Sequence, residues 1–326
     1  MSGDPERVGE SPRVSVVLPT RNRADLLGRA VASALAQTVR DIEVIVVDDA
    51  SDDDTPEAVA ALGRADLRVR GIRRPEPGGA PAARNAGIDA ARGDVVAFLD
   101  DDCLWHPDKL EKQLEALTPG RGLVYCRHAI RHDGRWVVEG EPGAARDPVG
   151  GLLRKNYIGT YSILVRRDLL ETIGGFDEVL PRLQDWDLLL RLARHTRFAY
   201  VPELLVHGEQ LPSGITMDRP ALATAADRMI SIHGPGLSRR QRAALHYGLA
   251  KYLLVDGLGT HARRFFFRAL RLDPASPLHW AGAVAGLLGP TPARWVRAVR
   301  RSLRTPGEGV ASLSDTSGPT DRPGRQ

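Results

Sequence analysis

The sequence contains few cysteines and few aromatic residues. Cys103 and Cys126 are its only cysteines, and aromatic residues make up 5% of the 326-residue chain. Two cysteines cannot form the disulfide framework of a small secreted protein, so a reduced, cytoplasmic setting is expected. Cys103 has no second soft ligand near it in the sequence, which argues against a zinc site.

Long hydrophobic runs are also missing. The longest weakly polar run near the C-terminus, Trp280 to Leu288, is far shorter than the ~20 residues of a membrane-spanning helix. The opening residues, MSGDPERVGESPR, are polar and lack the apolar segment of a secretory signal. We therefore expect a cytoplasmic protein.

Glycine is absent from the turn after the first predicted strand, where PTRNRAD stands. A dinucleotide site needs a G-x-G-x-x-G turn there, and a P-loop is glycine-rich as well, so both classes are excluded. The acidic stretch DDASDDDT lacks the central glycine and distal glutamate of an EF-hand loop.

The net charge of +4 is unevenly distributed along the chain. Residues 235–304 hold thirteen Lys and Arg residues against two acids, Asp256 and Asp273. This basic region predicts either contact with an anionic membrane surface or a solvated helix face. We expect no nucleic-acid partner.

Apolar runs alternate with helical patterns in the first 120 residues. Short buried strands are predicted at residues 13–19, 42–47, 67–72 and 95–99. Asn22 is predicted to cap the first helix, with Asp25 three residues on. The alternation predicts an α/β layer with a largely parallel sheet.

Two of the predicted strands end in clusters of carboxylates. Asp48 and Asp49 follow the second strand, and Asp100, Asp101 and Asp102 follow the fourth. Ligands of such sheets bind beyond the carboxyl ends of the strands, so the two clusters predict one site. Crowded carboxylates need a compensating cation, and oxygen ligands favour Mg²⁺ or Mn²⁺. Taken alone, the triplet is equally compatible with a solvated acidic turn.

Five segments in order resemble family 2 glycosyltransferases, which have the GT-A fold. They are VSVVLPTRNRADLLGRAVASALAQT, IEVIVVDDASDDDT, GGAPAARNAGIDAARGDVVAFLDDD, GGFDEVL and QDWDLLLRLA. The resemblance runs from Val14 to His207. It implies inverting transfer of a sugar from a nucleotide-diphosphate donor to an acceptor hydroxyl.

The resemblance also implies a domain organisation. We expect a GT-A domain at 13–210, with a mixed, mainly parallel sheet flanked by helices; its halves are a nucleotide-binding part at 13–120 and an acceptor-side part at 121–210. A helical C-terminal appendage at 211–304 is expected to follow, with disordered segments at 1–12 and 305–326. Asp133 and Gly134 predict a hairpin turn in the acceptor-side half.

Five residues match positions that bind the donor nucleotide in the family. Pro19, Thr20 and Arg21 are expected beside the nucleotide, and Arg84 near the base and phosphates. Asp49 matches the acid that accepts a hydrogen bond from the base. Uracil and thymine present a ring N–H to such an acceptor, which favours a UDP- or dTDP-sugar. Asp49 as a loop-capping acid and Arg84 as an exposed helical arginine are the alternatives.

The resemblance assigns the acid triplet to a divalent cation. Asp102 would ligate Mn²⁺ or Mg²⁺, while Asp100 or Asp101 would contact the ribose or a metal-bound water. The cation would neutralise charge on the departing diphosphate. In some relatives a histidine at the position of His207 completes the metal site or contacts the diphosphate; a structural histidine is the alternative.

Asp185 matches the general base of the family. An acid in the first turn of a helix is kept ionised by the helix dipole, as a proton acceptor must be. Asp185 as a simple N-cap is the alternative, and Asp187 is predicted to be structural. Gln184 stands where the family commonly has glutamate. It is the one support for a non-catalytic protein that binds a sugar nucleotide or glycan on the same fold.

The acceptor is less well defined by the sequence. A cell-surface glycan or a lipid-linked saccharide is expected, with a secondary metabolite as a further option. Peripheral membrane contact at the inner face, through the basic C-terminal helices, would suit a lipid-linked acceptor. A nucleotidyltransferase of related fold is disfavoured because the glycine-rich loop after the first strand is missing.

Overall fold

The computed structural model describes residues 11–132, 135–209 and 219–288. The predicted hairpin turn at Asp133 and Gly134, the boundary at residue 210, the helix ARWVRAVRRSLR and the predicted C-terminal tail lie outside the described residues. So do residues 1–10.

The first half of the fold alternates strands and helices as predicted. Its elements are β1 (Val14–Thr20), α1 (Ala24–Leu35), β2 (Ile42–Asp48), α2 (Thr55–Ala65), β3 (Val69–Arg73), α3 (Gly79–Ala90), β4 (Val95–Phe98), β5 (Cys103–Trp105) and α4 (Lys109–Ala116). β1 pairs in parallel with β2 and β4, and β2 pairs in parallel with β3. The carboxyl ends of these strands therefore lie at one edge, where the acid clusters begin.

The second half adds strands in both directions. Its elements are β6 (Arg121–His132), β7 (Arg135–Glu139), α5 (Gly143–Arg146), α6 (Pro148–Arg154), β8 (Ile163–Arg166), α7 (Arg167–Ile173), α8 (Gln184–Leu192) and β9 (Arg197–Glu209). The sheet order is β3-β2-β1-β4-β8-β6-β9-β5, with β7 paired to β6. β8 is antiparallel to β4 and β6, whereas β9 is parallel to β6. The sheet is therefore mixed.

Pro19 lies inside β1 and does not end it, which corrects the sequence prediction. Pairing of β1 with β4 stops at Val17, while pairing with β2 continues to Thr20. The carbonyl of Val17 accepts from Leu99 on the β4 side. Pro19 faces the same side, beyond the paired part of β4. Its missing N–H therefore removes no sheet hydrogen bond.

Asn22 does not cap α1, which is a second correction. Helix α1 begins at Ala24 with Arg23 as its N-cap residue and no side-chain cap hydrogen bond. Asn22 instead adopts the left-handed conformation, with φ of 52°, which asparagine tolerates better than most residues. Its side-chain oxygen accepts from the backbone N–H of Asp52 at 2.9 Å. Asn22 thus joins the turns that follow β1 and β2.

Hydrophobic cores cover both faces of the sheet. On one face, Val16, Leu18 and Val44 pack in a cluster with residues of α1 and α4. On the other face, Val17 and Ile45 belong to a cluster that includes residues of α3, α8 and the C-terminal helices. The alternation of inward side chains along each strand produces this two-sided burial, which is typical of strands between helix layers.

The C-terminal helices pack on the same core as the sheet. They are α9 (Arg219–His233), α10 (Arg239–Val255), α11 (Gly259–Leu272) and α12 (Pro277–Leu288). Helix α10 begins with a capping box between Ser238 and Gln241, which satisfies backbone donors at its first turn. Leu249 and Leu253 of α10 join the cluster that contains Trp186. Among the described helices, none has both the length and the hydrophobicity needed to cross a bilayer.

Candidate active site

A cavity of about 680 Å³ lies at the sheet edge where β1, β2 and β4 end. We call it the acid-lined cavity. It is lined by nine of the residues predicted from the sequence, namely Pro19, Thr20, Arg21, Asp49, Arg84, Asp100, Asp101, Asp102 and Asp185. The structure therefore brings both acid clusters and the start of α8 into one concave surface.

Asp101 is held by protein partners on both of its oxygens. Thr20 Oγ1 donates to Oδ2 at 2.9 Å, and Arg23 Nη1 donates to Oδ1 at 2.7 Å. Asp101 is 7% exposed. Burial raises the pKa of this carboxyl group above its ordinary value, although the charge and hydrogen bond of Arg23 oppose the rise. These contacts fix Asp101 as a wall of the cavity.

Asp102 has the weakest protein contacts of the triplet. Asp100 accepts a hydrogen bond from Arg84 Nη2 at 2.6 Å. The contacts to Asp102, from Arg23 Nη1 and Cys103 Sγ, are both 3.5 Å long. Burial, followed by repulsion from Asp100 and Asp101, raises the pKa of Asp102 to about 6. Its charge is poorly compensated by the protein, so Asp102 is the carboxylate best placed to receive a cation.

The chemistry of the triplet fits a hard divalent cation. The donors are all carboxylate oxygens. Within the described residues, Arg23 is the guanidinium that contacts both Asp101 and Asp102, and its contact with Asp102 is the longer one. Those residues contain no group of three or more His, Cys, Asp or Glu side chains able to hold a metal by themselves. Mg²⁺ commonly takes one or two protein carboxylates and completes its shell with substrate phosphates and water. The site suits this shared type of coordination.

His207 lies on β9, the strand that pairs with β5 directly after the acid triplet, but it does not line the acid-lined cavity. Its partner on β5 is Leu104. Its ring is 6.3 Å from that of Trp136, centroid to centroid, and burial lowers its pKa. Completion of a metal site by His207 stays a prediction.

Asp49 lines the cavity but is already well supplied with donors. The backbone N–H of Gly79 donates to Oδ2 at 2.7 Å, and that of Gly78 donates to Oδ1 at 3.0 Å. Arg74 also pairs with Oδ1. These contacts are those of a loop-capping acid, the alternative raised by the sequence. Recognition of a base by Asp49 stays a prediction.

Asp185 occupies the first turn of α8 and lines the acid-lined cavity. Asn156 Nδ2 donates to its Oδ2 at 2.8 Å, and the Trp186 backbone N–H contacts Oδ1. Burial raises the pKa of Asp185, while the Trp186 N–H, the charge of Arg84 and the Asn156 amide oppose the rise. A carboxylate with a raised pKa is a better proton acceptor than an ordinary aspartate.

Asp187, two residues on, faces the protein interior. It is fully buried and accepts from Arg191 Nη2 at 2.5 Å and from His233 Nε2 at 2.9 Å. It therefore ties α8 to α9. Trp186 is buried as well, and its indole N–H donates to the carbonyl of Leu152. Both residues serve the packing of α8.

The side chain of Gln184 bonds to backbone carbonyls of the turn that precedes α8. Its side-chain amide donates to the carbonyls of Leu180 and Pro181 at 3.3 and 3.2 Å. A glutamate could not make these contacts in its ionised form, because a carboxylate is acceptor-only. The residue before it, Leu183, has a left-handed φ of 64°. The two features together set the direction in which α8 begins.

Sequence reasoning missed Arg23, Asn156 and Tyr252. Arg23 lay inside a quoted motif, but nothing in the sequence showed that it would reach Asp101. Asn156 stands in the unpatterned stretch RKNYIGT. Tyr252 belongs to α10, lines the acid-lined cavity, and donates from its hydroxyl to the Asn156 carbonyl at 2.6 Å. These contacts join residues far apart in the chain, so local patterns carry no signal of them.

Comparison with known proteins places this fold and site in a family. Residues 15–172 match the model of glycosyl transferase family 2. The matched span runs from within β1 into α7 and contains the acid triplet. This match identifies residues 15–172 as a glycosyl transferase family 2 domain.

Individual relatives agree with this assignment. The chain is 46% identical over 112 residues to the succinoglycan biosynthesis protein ExoO of Rhizobium meliloti, which corresponds to 34% of this chain and 32% of that protein. A mannosyltransferase from Pyrobaculum calidifontis, solved with GDP-Man and Mn²⁺, aligns with a TM-score of 0.57 and 22% identity over 94% of this chain and 84% of its own. TarS 1–349 of S. aureus, solved with UDP-GlcNAc, aligns with a TM-score of 0.63 and 16% identity over 84% and 89% of the two chains. The two structures show the shared GT-A fold.

The curated relatives are longer than the matching region. The chain covers between 21% and 63% of the length of the eight relatives compared. The similarity therefore concerns the matching region of these proteins and not their whole length.

Proposed function

We propose that the chain transfers a sugar from a nucleotide-diphosphate donor to an acceptor hydroxyl, with inversion at the anomeric carbon. The observation that carries the proposal is the placement of Asp102 and Asp185 on one cavity. One carboxylate is weakly paired and suits a cation; the other is a buried proton acceptor at a helix start. The family 2 domain at residues 15–172 supports the same reaction.

Asp185 is the general base in this proposal. Its carboxylate takes the proton of the acceptor hydroxyl, and the acceptor oxygen forms a bond to the anomeric carbon. The bond from that carbon to the diphosphate oxygen breaks in the same displacement, and the diphosphate leaves with the electron pair. Asn156 holds the Asp185 carboxylate in place through its 2.8 Å hydrogen bond.

Asp102 would hold the divalent cation, with Asp100 or Asp101 contributing through ribose or water. When bound, a cation at this position supplies charge neutralisation to the leaving diphosphate. Mn²⁺ in the Pyrobaculum calidifontis complex supports Mn²⁺ or Mg²⁺ here. Arg23 orients the triplet, and Arg84 contributes a positive charge between Asp100 and Asp185.

The donor is proposed to be a UDP- or dTDP-sugar. Asp49 supports this choice because it lines the cavity and matches the base-binding acid of the family, and UDP-GlcNAc in the TarS complex is a donor of this kind. GDP-Man in the mannosyltransferase complex is the competing type. Calorimetric titration with UDP, dTDP and GDP, each with Mn²⁺, separates the types; tightest binding of GDP would contradict the proposal.

The acceptor is proposed to be a cell-surface glycan or a lipid-linked saccharide, reached at the cytoplasmic face of a membrane. ExoO is named for succinoglycan biosynthesis, which supports a polysaccharide product. Helix α12 exposes large apolar side chains, including Trp280 and Leu287. An apolar helix face beside basic helices supports peripheral contact with anionic lipid.

The transfer reaction is tested by donor hydrolysis over a panel of nucleotide sugars, with and without Mn²⁺. Asp102→Ala is expected to abolish metal-dependent turnover, and Asp185→Asn to lower turnover by at least ~10². Both proteins should bind UDP without metal as the unchanged protein does. Asp227→Asn, on the exposed face of α9, is the matched control and should retain full activity.

Full activity of either site variant would remove that residue from the mechanism. UDP binding without any hydrolysis or transfer over the whole panel would favour the non-catalytic alternative. These outcomes separate an enzyme from a binding protein on the same fold.

A further inference from the structure

A second cavity, of about 610 Å³, lies among α9, α10 and α11. We call it the arginine-lined cavity. The residues that matter for its chemistry are Ile230, Pro235, Arg242, His246, Arg268 and Arg271. None of them lines the acid-lined cavity, and none has a part in the proposed transfer.

The three arginines carry more positive charge than their surroundings neutralise. Within the described residues, the guanidinium groups of Arg242 and Arg271 make no hydrogen bond or ion pair. Arg268 is 4.0 Å from Asp227, an acid that also pairs with Arg264 at 2.7 Å. Three cations thus face one cavity, and Asp227 is the only carboxylate within 4.0 Å of any of them in the part of the chain that the structure describes. The cavity is therefore attractive to an anion.

His246 forms a buried polar part of this cavity. It is 6% exposed, and its Nδ1 is enclosed without a hydrogen-bond partner. Burial, with the charge of Arg268 adding to it, lowers the pKa of His246 to about 4, so the ring is neutral at neutral pH. An enclosed N–H without a partner is less tolerable than an enclosed lone pair. The ring proton is therefore better placed on Nε2, which leaves His246 a neutral donor.

We infer that the arginine-lined cavity binds the phosphate group of an organic phosphate. Guanidinium groups offer paired N–H donors that match phosphate oxygens, and a neutral imidazole adds one more donor. The volume is that of a small-molecule site and far exceeds one phosphate ion. Ile230 and Pro235 supply apolar wall for the organic part. The phosphate group belongs either to a soluble ester or to a lipid headgroup.

Binding is tested on the full chain by calorimetry with inorganic phosphate and with phenyl phosphate at constant ionic strength. Both should bind saturably, and phenyl phosphate more tightly because its ring can contact the apolar wall. Arg242→Gln with Arg271→Gln should weaken phenyl phosphate binding by at least about tenfold. Arg240→Gln with Arg263→Gln removes the same charge from the same two helices, outside the cavity lining, and should leave the affinity unchanged.

The ring centroids of His246 and Phe265 are 5.4 Å apart. His246→Phe keeps a ring in contact with Phe265 and removes the imidazole donor. It should weaken phosphate binding without lowering the melting temperature. It also provides a test if the double arginine variant does not fold. Absence of saturable binding, or equal weakening by the cavity and control pairs, would overturn the inference.

Vesicles identify the source of the phosphate. Phosphatidylcholine vesicles with and without phosphatidic acid are mixed with the same proteins and sedimented. Binding that needs phosphatidic acid and is lost only in Arg242→Gln with Arg271→Gln indicates a lipid headgroup. Vesicle binding that is the same in all variants, with phenyl phosphate binding still lost in the cavity pair, indicates a soluble ester.

Discussion

Asn156 donates a hydrogen bond from its side-chain amide to Asp185 Oδ2 at 2.8 Å, and its own carbonyl accepts one from Tyr252 at 2.6 Å. Asp185 opens α8, whereas Tyr252 belongs to α10. The proposed base is therefore connected to the C-terminal helices through a single residue. We therefore expect the helical region to help position the site as well as to enlarge the core.

Asn156→Ala is expected to change the pH dependence of transfer. The Asn156 amide stabilises the ionised form of Asp185, so its removal raises the pKa of that carboxyl further. The acid limb of the pH profile of kcat/KM should move to higher pH, and kcat should fall by about tenfold. Tyr252→Phe, which removes a contact one step further away, should cause a smaller shift in the same direction. A lower rate with an unmoved acid limb would show that Asn156 does not act through Asp185.

Asp185 and Asp187 should affect stability in opposite directions. The raised folded-state pKa of Asp185 means that its ionised form disfavours folding at neutral pH, and that this penalty disappears as the pH falls. Asp187 is different: burial opposes its ionisation, but the hydrogen bonds from His233 and Arg191 outweigh burial and lower its pKa. Asp187→Asn should cost about 3 kcal/mol near pH 7, and Asp185→Asn should leave the melting temperature equal or higher.

Thermal unfolding of the Asp185→Asn and Asp187→Asn variants, near neutral pH and in acid, tests these two expectations. The stability that Asp187 contributes is present above its unfolded-state pKa and is lost as the pH falls through its lowered folded value, so the deficit of Asp187→Asn should shrink in acid. Folded Asp187→Asn protein should still turn over donor. A destabilised Asp185→Asn protein would contradict the assignment of a penalty to its buried charge.

Arg23→Ala is expected to destabilise the acid-lined cavity in a pH-dependent way. It leaves Asp101 with Thr20 as its side-chain partner, and the pKa of Asp101 should rise further because the opposing charge is lost. The loss should be on the order of 2 kcal/mol at neutral pH, since Arg23 is partly exposed. The deficit should shrink as Asp101 is protonated in acid. Urea unfolding at several pH values measures the deficit in stability, with Arg21→Ala as the control. A deficit that does not change with pH would count against the pairing of Arg23 with Asp101.

The strands and the convergence of the acids were predictable because they depend on local patterns. The apolar run at residues 95–99 predicted a buried strand, which the structure shows at Val95–Phe98, and parallel strands place their carboxyl ends together. Asp49 and Asp100 therefore had to meet at one edge. The alternation of strands and helices predicted the α/β layer in the same way.

Other features depend on contacts that no local pattern records. Asparagine is a common N-cap residue, but the side chain of Asn22 instead accepts a hydrogen bond from the Asp52 backbone N–H across the turn. His207 lies on β9, and its pairing with Leu104 of β5 is a contact that the apolar run before it does not record. Tyr252 lies in the predicted C-terminal appendage. Its place in the cavity lining depends on the packing of α10 on α6, which the sequence of α10 does not show. In each case the deciding contact joins residues far apart in the chain, which a local pattern does not record.

Close packing of α10 on α6 is what brings Tyr252 to Asn156, and Gly248 permits it. A Cβ at Gly248 would lie 2.7 Å from the Leu153 carbonyl oxygen and 3.0 Å from that of Arg154, both backbone atoms that cannot rotate away. Gly248→Ala should therefore cost about 1–3 kcal/mol despite the better helix propensity of alanine. It should also lower kcat, because Tyr252 and Asn156 move with the helix.

Gly28→Ala is the matched change in a helix without a close neighbour. No atom lies within 4 Å of a Cβ at Gly28 in α1, so the alanine should stabilise the protein by about 0.5–1 kcal/mol through helix propensity alone. Chemical unfolding of the two variants, with donor hydrolysis on the same samples, distinguishes packing from propensity. If Gly248→Ala were as stable and as active as Gly28→Ala, the contact between α10 and α6 would not position the site, and the link from Tyr252 to Asp185 would be incidental.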